Sequence, residues 1–210
     1  MSGGWSSFVV GVCNGRSYWR VRDLVEGYAS GVLLITGRTG TGKSCLLRAA
    51  EAEARAVGLS VVRLTAMQFV ESYFGALTFR SPTRFLTALA TADLLLIDDV
   101  DFLREKPTSQ HVLAEVVRCC RAHNGSVVFT SQPSVGNGHD VLPGVLDRAQ
   151  VVRVELGGCA TREAILRSVD VAEGLDDLTI ARIAEQSAEA DGWELHGRIV
   201  SEAARRRFAG

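Results

Sequence analysis

The chain has 210 residues, 23 Lys and Arg against 24 Asp and Glu, a formal net charge of -1 and a pI of about 6.4, which excludes a global electrostatic attraction to nucleic acid or to an anionic membrane. A hydrophobic content of 47% with 22% charged residues suits a globular domain with a substantial core, and no apolar run approaches membrane-spanning length. The N-terminus, Met1 to Trp5, lacks the basic-then-apolar pattern of a secretion signal, so a cytoplasmic location is expected.

Five cysteines (Cys13, Cys45, Cys119, Cys120, Cys159) lack C-x-x-C spacing, and four scattered histidines (His111, His123, His139, His196) lack metal-ligand spacing. Neither a disulfide framework nor a zinc site is expected.

In chain order, the apolar run 32–35 predicts a buried strand that ends at Gly37. Residues 44–57, rich in Ala, Leu, Glu and Arg, predict a helix closed by Gly58, and 60–64 a strand. Helices follow at 66–74 and 81–90, with Pro82 in the first turn of the second. Residues 94–97 form another buried strand, 108–123 a long helix broken by Asn124-Gly125, and 126–130 the next strand. A loop over 133–143 leads to a last strand at 151–154. Gly157-Gly158 marks a boundary between a core of residues 1–157 and a satellite of residues 158–210. The satellite reads as three helices at 162–171, 178–188 and 194–208, with Leu195, Ile199 and Ala203 on one face of the last. Alternating strands and helices predict an α/β core with a five-stranded, mainly parallel sheet, followed by a small all-helical subdomain.

Gly37-Arg38-Thr39-Gly40-Thr41-Gly42-Lys43-Ser44 is a complete phosphate-binding loop of the form G-x-x-x-x-G-K-[ST], placed between a strand and a helix. Such a loop turns backbone N–H groups and the positive end of a helix toward phosphates, because both favour negative charge. Gly37, Thr39, Gly40, Thr41, Gly42, Lys43, Ser44 and the adjoining Cys45 are therefore the nucleotide contacts. Lys43 reaches the β- and γ-phosphates, and the Ser44 hydroxyl takes a Mg²⁺ position. The strand 94–97 ends in Asp98-Asp99. Asp98 suits a water-mediated Mg²⁺ contact, and Asp99 suits accepting a proton from the attacking water. Thr130, Ser131 and Gln132 stand at the end of the next strand, where polar groups sense a γ-phosphate and the attacking water. Arg148, just before the last strand, suits supplying positive charge to a neighbouring subunit's nucleotide, and an ordinary surface ion pair is the alternative.

Together these motifs resemble the AAA+ ATPases of the bacterial replication initiator DnaA and its shortened relative Hda. Phe8, Val9, Val10 and Gly11, with Asn14 just after, resemble the family's segment that covers the adenine. Residues 69–74 resemble its helix after the second strand, and residues 95–103, containing Ile97-Asp98-Asp99-Val100-Asp101, its Walker B signature. Thr161-Arg162-Glu163-Ala164-Ile165-Leu166 resembles the start of its helical lid, and the resemblance runs from about residue 8 to residue 200.

That resemblance implies ATP or ADP as ligand with Mg²⁺, and a regulator of chromosomal replication initiation that meets DnaA or another AAA+ replication protein. It implies an ATPase whose turnover is weak or partner-dependent, and it leaves a homo-oligomer open. The chain departs from the family where a sensor arginine precedes Glu-Leu-x-Gly: Trp193 stands before Glu194-Leu195-His196-Gly197, and Arg198 is the candidate substitute. No counterpart of the C-terminal duplex-reading domain is evident, so sequence-specific duplex binding is not expected; a sliding-clamp partner stays open, although its binding peptide is not evident. Arg205-Arg206-Arg207 reads as a helix end favoured by the dipole. The competing expectations are a non-hydrolysing nucleotide-bound adaptor and a helicase-loader-like ATPase on single-stranded DNA. Guanine specificity is disfavoured, since no Asn-Lys-x-Asp element occurs.

Overall fold

A computed structural model describes residues 4–79, 81–133, 141–169, 172, 175–188 and 190–209. Residues 134–140 of the expected loop, including His139, the last two residues of the expected helix 162–171, and the Arg207 side chain lie outside the described set.

Five strands make one sheet: β1 (Val32–Thr36), β2 (Val61–Thr65), β3 (Leu94–Asp98), β4 (Ser126–Ser131) and β5 (Gln150–Arg153). Their order is β2-β3-β4-β1-β5, and every neighbouring pair is parallel. β3 and β4 are buried along their whole length, which suits the apolar run Leu94 to Ile97 of β3 and the Val127-Val128-Phe129 centre of β4. Successive side chains point to opposite faces, and the core divides accordingly. Leu94 and Leu96 pack with Leu33, Ile35 and Val128 on one face; Leu95 and Ile97 pack with Val127 and Phe129 on the other.

Helices cover both faces. α1 (Gly15–Val25) and α2 (Lys43–Ala56) pack on the first through Tyr18, Val21, Leu46 and Leu47. α3 (Ala66–Thr78), α4 (Pro82–Ala90) and α5 (Pro107–Ala122) pack on the second through Phe69, Leu89, Leu113 and Val117. α3 starts in a capping box, with Thr65 accepting from the Gln68 N–H while the Gln68 side chain accepts from the Thr65 N–H. It runs past Gly75 to Thr78, four residues beyond its expected end, because Gly75 is accommodated inside the helix. α1 was not expected. Its buried positions Ser17, Tyr18, Val21 and Val25 follow helical spacing, so the signal was present in the sequence.

The satellite holds α6 (Cys159–Arg167), α7 (Asp177–Gln186) and α8 (Gly192–Ala209) around its own core of Leu166, Ile180, Ile183, Leu195 and Ile199. α6 ends four residues before the expected position 171. Arg162 is buried and donates through Nε to the Ala184 carbonyl (2.8 Å) and through Nη1 to the Gly157 carbonyl (3.0 Å), tying α6 to α7 and to the hinge. A buried guanidinium is tolerable there because two carbonyls partly replace its lost hydration.

Candidate nucleotide site

β1 delivers the chain to Gly37, whose N–H donates to the Ser131 carbonyl (3.2 Å) at the end of β4. A Cβ on Gly37 would come within 2.4 Å of the Val154 carbonyl oxygen, so a side chain has no room there. Gly40 and Gly42 adopt left-handed backbone (φ +76° and +94°), the turn that brings the loop around to the start of α2. Gly42, the residue before α2, offers no side chain to cap it. The first-turn N–H groups of α2, which have no acceptor within the helix, are thus left at the loop, where an anion satisfies them best.

Lys43 is almost fully buried, and its Nζ donates to the carbonyls of Gly37 (2.7 Å) and Arg38 (3.0 Å). Loss of hydration lowers its pKa, while the charges of Asp99, Asp98 and Asp101 oppose that shift. The loop cation and the carboxylates after β3 therefore share one neighbourhood. Thr41 Oγ1 donates to the Arg38 carbonyl (2.8 Å), and Thr39, Ser44 and Cys45 are exposed along the rim. Arg48 donates to the Cys45 sulfur (3.0 Å), and all five cysteines are free thiols.

Asp98, at the end of β3, is buried, and its Oδ1 accepts the hydroxyl of Thr130 on β4. That same hydroxyl oxygen accepts the Asp99 N–H (2.9 Å). Asp99 is held in left-handed backbone (φ 53°, ψ 54°), a strained state for a non-glycine residue of the kind that collects at functional sites. Its side chain keeps one side open to solvent. Lost hydration on the other, followed by the charge of Asp98, raises its carboxyl above the ordinary range. Such a shift suits a proton acceptor.

Asp101 accepts the Ser131 hydroxyl (3.0 Å) and the Gln132 backbone N–H (2.7 Å), with Arg104 at 3.5 Å. Ser131 and the Gln132 amide are thus committed to Asp101, and the Gln132 side chain is exposed. Asp101 is the polar group that the sequence did not single out as a site residue, and Thr130, expected to sense a γ-phosphate, is instead bonded to Asp98 and Asp99. Both lie within motifs that were noted, but their partners are across the β3–β4 pairing.

The N-terminal segment leans on the same loop. The Phe8 ring is buried, stacks against Tyr18 (centroids 6.1 Å apart) and lies 3.6 Å from where a Cβ on Gly42 would stand. Val9 is half-buried and Val10 exposed. Both polar ends of the buried Asn14 side chain are occupied: Oδ1 accepts the Gly11 N–H (2.7 Å), and Nδ2 donates to the Val9 carbonyl (2.9 Å). Asn14 thus shapes the segment from within, and Phe8 is the side chain of the segment that meets the loop.

The satellite closes over the loop from the other end. Gly192 at the start of α8 donates its N–H to the Gly40 carbonyl (3.0 Å). Trp193 is 75% exposed, so it covers nothing. Arg198, the expected substitute cation, instead donates to the Gln186 carbonyl (2.7 Å) and lines a groove of about 750 Å³ between α7 and α8 with Arg182 and Arg205. That expectation is corrected: one turn further along α8, the side chain points to α7. Arg148 ends the 3-10 turn Leu146–Arg148 before β5, is exposed, and has no ion pair among the described residues. It is not gathered with Asp98 and Asp99 but sits toward the β5 edge of the sheet.

Residues 3–137 match a family model described as the bacterial DnaA ATPase domain. The chromosomal replication initiator protein DnaA of Wolinella succinogenes is 34% identical over 129 residues, 60% of this chain and 30% of that protein. The chain thus matches less than a third of that relative's length. Among solved structures, domain III of the Thermotoga maritima replication initiation protein DnaA superposes with a TM-score of 0.85 at 22% identity, covering 99% of this chain and 90% of that one. A replication initiator DnaA bound to AMPPCP and single-stranded DNA superposes with a TM-score of 0.79 at 24% identity, covering 98% and 68%. At these identities the superpositions show the fold.

Proposed function

Because the chain belongs to the bacterial DnaA ATPase-domain family, we propose that residues 37–44 bind ATP or ADP with Mg²⁺, and that the protein regulates initiation of chromosomal replication through an AAA+ interface with DnaA. The observation that carries this reading is Lys43, buried among the loop carbonyls and facing the carboxylates after β3. Carbonyl oxygens are neutral acceptors, and phosphate oxygens are better ones for a buried cation.

The residues fit a nucleotide with its cation. Gly40 and Gly42 make the turn, the uncapped start of α2 offers N–H groups, and Phe8 supplies an apolar face beside Gly42 for the base. Ser44 and Asp98 would hold Mg²⁺, whose chemistry is to neutralise phosphate charge. Thr130 orients Asp98 and fixes the backbone of Asp99, and Asp99 accepts the proton of the attacking water. Arg148 faces the partner's nucleotide, where a cation supplied in trans contributes about a thousandfold or more to hydrolysis. The location that goes with this role is the cytoplasm. Among the described residues no helix is long and apolar enough to cross a membrane.

Titrating the protein with ATP and ADP, beside a Lys43→Ala control, tests the site, and DnaA turnover with wild type and Arg148→Ala tests the interface. Binding lost in Lys43→Ala and DnaA turnover changed only by wild type are expected. If wild type neither associates with DnaA nor alters its turnover, and Arg148→Ala behaves identically, the regulatory reading fails.

A second reading rests on Trp193. The turn of α8 that touches Gly40 presents an exposed tryptophan and a carboxylate, so a nucleotide-locked adaptor that does not hydrolyse ATP is its natural alternative. ATP binding without turnover above the Lys43→Ala control supports that adaptor, and ready turnover by the isolated protein refutes it. The relative solved with single-stranded DNA adds a third role, which would show as strongly salt-dependent single-strand binding.

A further inference from the structure

The start of α8 is docked on the phosphate loop through two residues whose chemistry the reading above leaves unused. Gly192 donates its N–H to the Gly40 carbonyl (3.0 Å). A Cβ on Gly40 would stand 2.7 Å from both Cβ and Cγ of Asp191, so the carboxyl group of Asp191 packs directly against the loop. Its Oδ1 accepts the N–H groups of Trp193 (2.8 Å) and Glu194 (2.9 Å), while Glu194 Oε2 accepts the Asp191 N–H (3.2 Å). This reciprocal cap fixes the carboxylate in place. A helix start aimed at a phosphate loop ordinarily brings partial positive charge. Here that end is consumed by Asp191 and Gly40, and it brings a full negative charge.

We propose that Asp191 is a specificity-determining residue that biases the phosphate loop toward a nucleoside diphosphate over the triphosphate. The inference rests on the reading of residues 37–44 as an ATP or ADP site. The local charges favour it. Lys43 and Arg38 are the loop's two cations, whereas Asp98, Asp99 and Asp101 after β3 and Asp191 and Glu194 at the start of α8 are acidic. Each further phosphate adds negative charge to a site already rich in it, and the position before Glu194 supplies no offsetting cation: Trp193 carries no charge, and Arg198 is directed to the Gln186 carbonyl on α7. A triphosphate is then accommodated fully only when a partner contributes a cation. Asp191 thus makes triphosphate occupancy depend on assembly.

The test uses the full chain, with Asp191→Asn and Asp191→Ser as variants. Asn and Ser keep the N-cap, so α8 stays capped while the charge is removed. Calorimetric titration with ATP and with ADP, each with Mg²⁺, gives the ATP-to-ADP affinity ratio, and urea unfolding reports stability. Wild type is expected to bind ADP more tightly. Both variants are expected to raise the ATP-to-ADP ratio by about five- to tenfold, the size of one carboxylate acting on one added phosphate charge across a partly solvated gap. That change should shrink in high salt. If the ratio stays at the wild-type value, or both nucleotides weaken in parallel, Asp191 is only a helix cap and the inference is overturned. If wild type binds neither nucleotide and matches Lys43→Ala, the reading of the site itself falls instead.

Discussion

Thr130→Val isolates the link between β3 and β4 on which the carboxylates depend. Thr130 is fully buried, donates its hydroxyl to Asp98 Oδ1 and accepts the Asp99 N–H at 2.9 Å. Valine has nearly the same shape, so no cavity forms and the cost is the two hydrogen bonds. A bond to a charged carboxylate contributes about 1.5–3 kcal/mol, and a stranded N–H costs about 1–3 kcal/mol. Asp99 has access to water, which puts its share at the low end, and the sum is about 3 kcal/mol. With a urea m-value of about 2 kcal/mol/M, the unfolding midpoint of the core should fall by about 1.5 M. Thr130→Ser keeps the hydroxyl, loses one methyl group and should cost only about 1 kcal/mol. In Thr130→Val with Asp98→Asn, the two losses should not add, because the residues share one bond. A Thr130→Val protein within about 0.5 kcal/mol of wild type, smaller than one ordinary buried hydrogen bond, would refute the bridging role.

Arg162→Met keeps the side-chain stem but strands the carbonyls of Ala184 and Gly157, so the lid should lose about 3 kcal/mol, read as faster amide exchange in α6 and α7 with β3 and β4 unchanged. Unaltered exchange in the lid would show that the two bonds do not hold it. The raised carboxyl of Asp99 gives an opposite, pH-dependent effect. A carboxyl whose folded pKa is raised contributes stability below its unfolded pKa and loses that contribution as pH rises through the folded one. Asp99→Asn should therefore be more stable than wild type at pH 7 and lose that advantage near pH 3; an equal gain at both would rule out an electrostatic origin. Asp176 has the reverse sign. Its hydrogen bond from Arg206, then that from the Thr179 N–H, lower its pKa to about 2, so its contribution is present above the ordinary value near 4 and lost as pH falls toward 2. Asp176→Asn should melt below wild type at pH 7 and with it near pH 2, and a gap that persists in acid would refute the assignment.

Local patterns carried much of the fold. The unbroken apolar run of β3 announced a buried strand, and the breaks at Gly58 and Asn124-Gly125 ended helices close to where they end. α1 was overlooked although Tyr18, Val21 and Val25 recur at helical spacing, because Arg20, Arg22 and Asp23 between them dilute the apolar signal. Gly75 suggested an end to α3 that packing on the sheet overrode.

By itself the sequence determined the G-x-x-x-x-G-K-S loop, the carboxylates after β3, the alternation that makes a parallel sheet, and the family. The first two are short-range signals, written within one turn or one strand, and the others are the order in which such signals follow along the chain. Only the tertiary structure decided which polar groups meet. Strand order sets β4 beside β3, and this puts Thr130 on Asp98 and Asp99, and Ser131 on Asp101. Helical rotation along α8 sends Arg198 to Gln186 while Gly192 and Asp191 settle on Gly40. A hydrogen bond or a charge acts over a few ångströms of space, and that distance depends on packing between segments far apart in the chain, which no local pattern records.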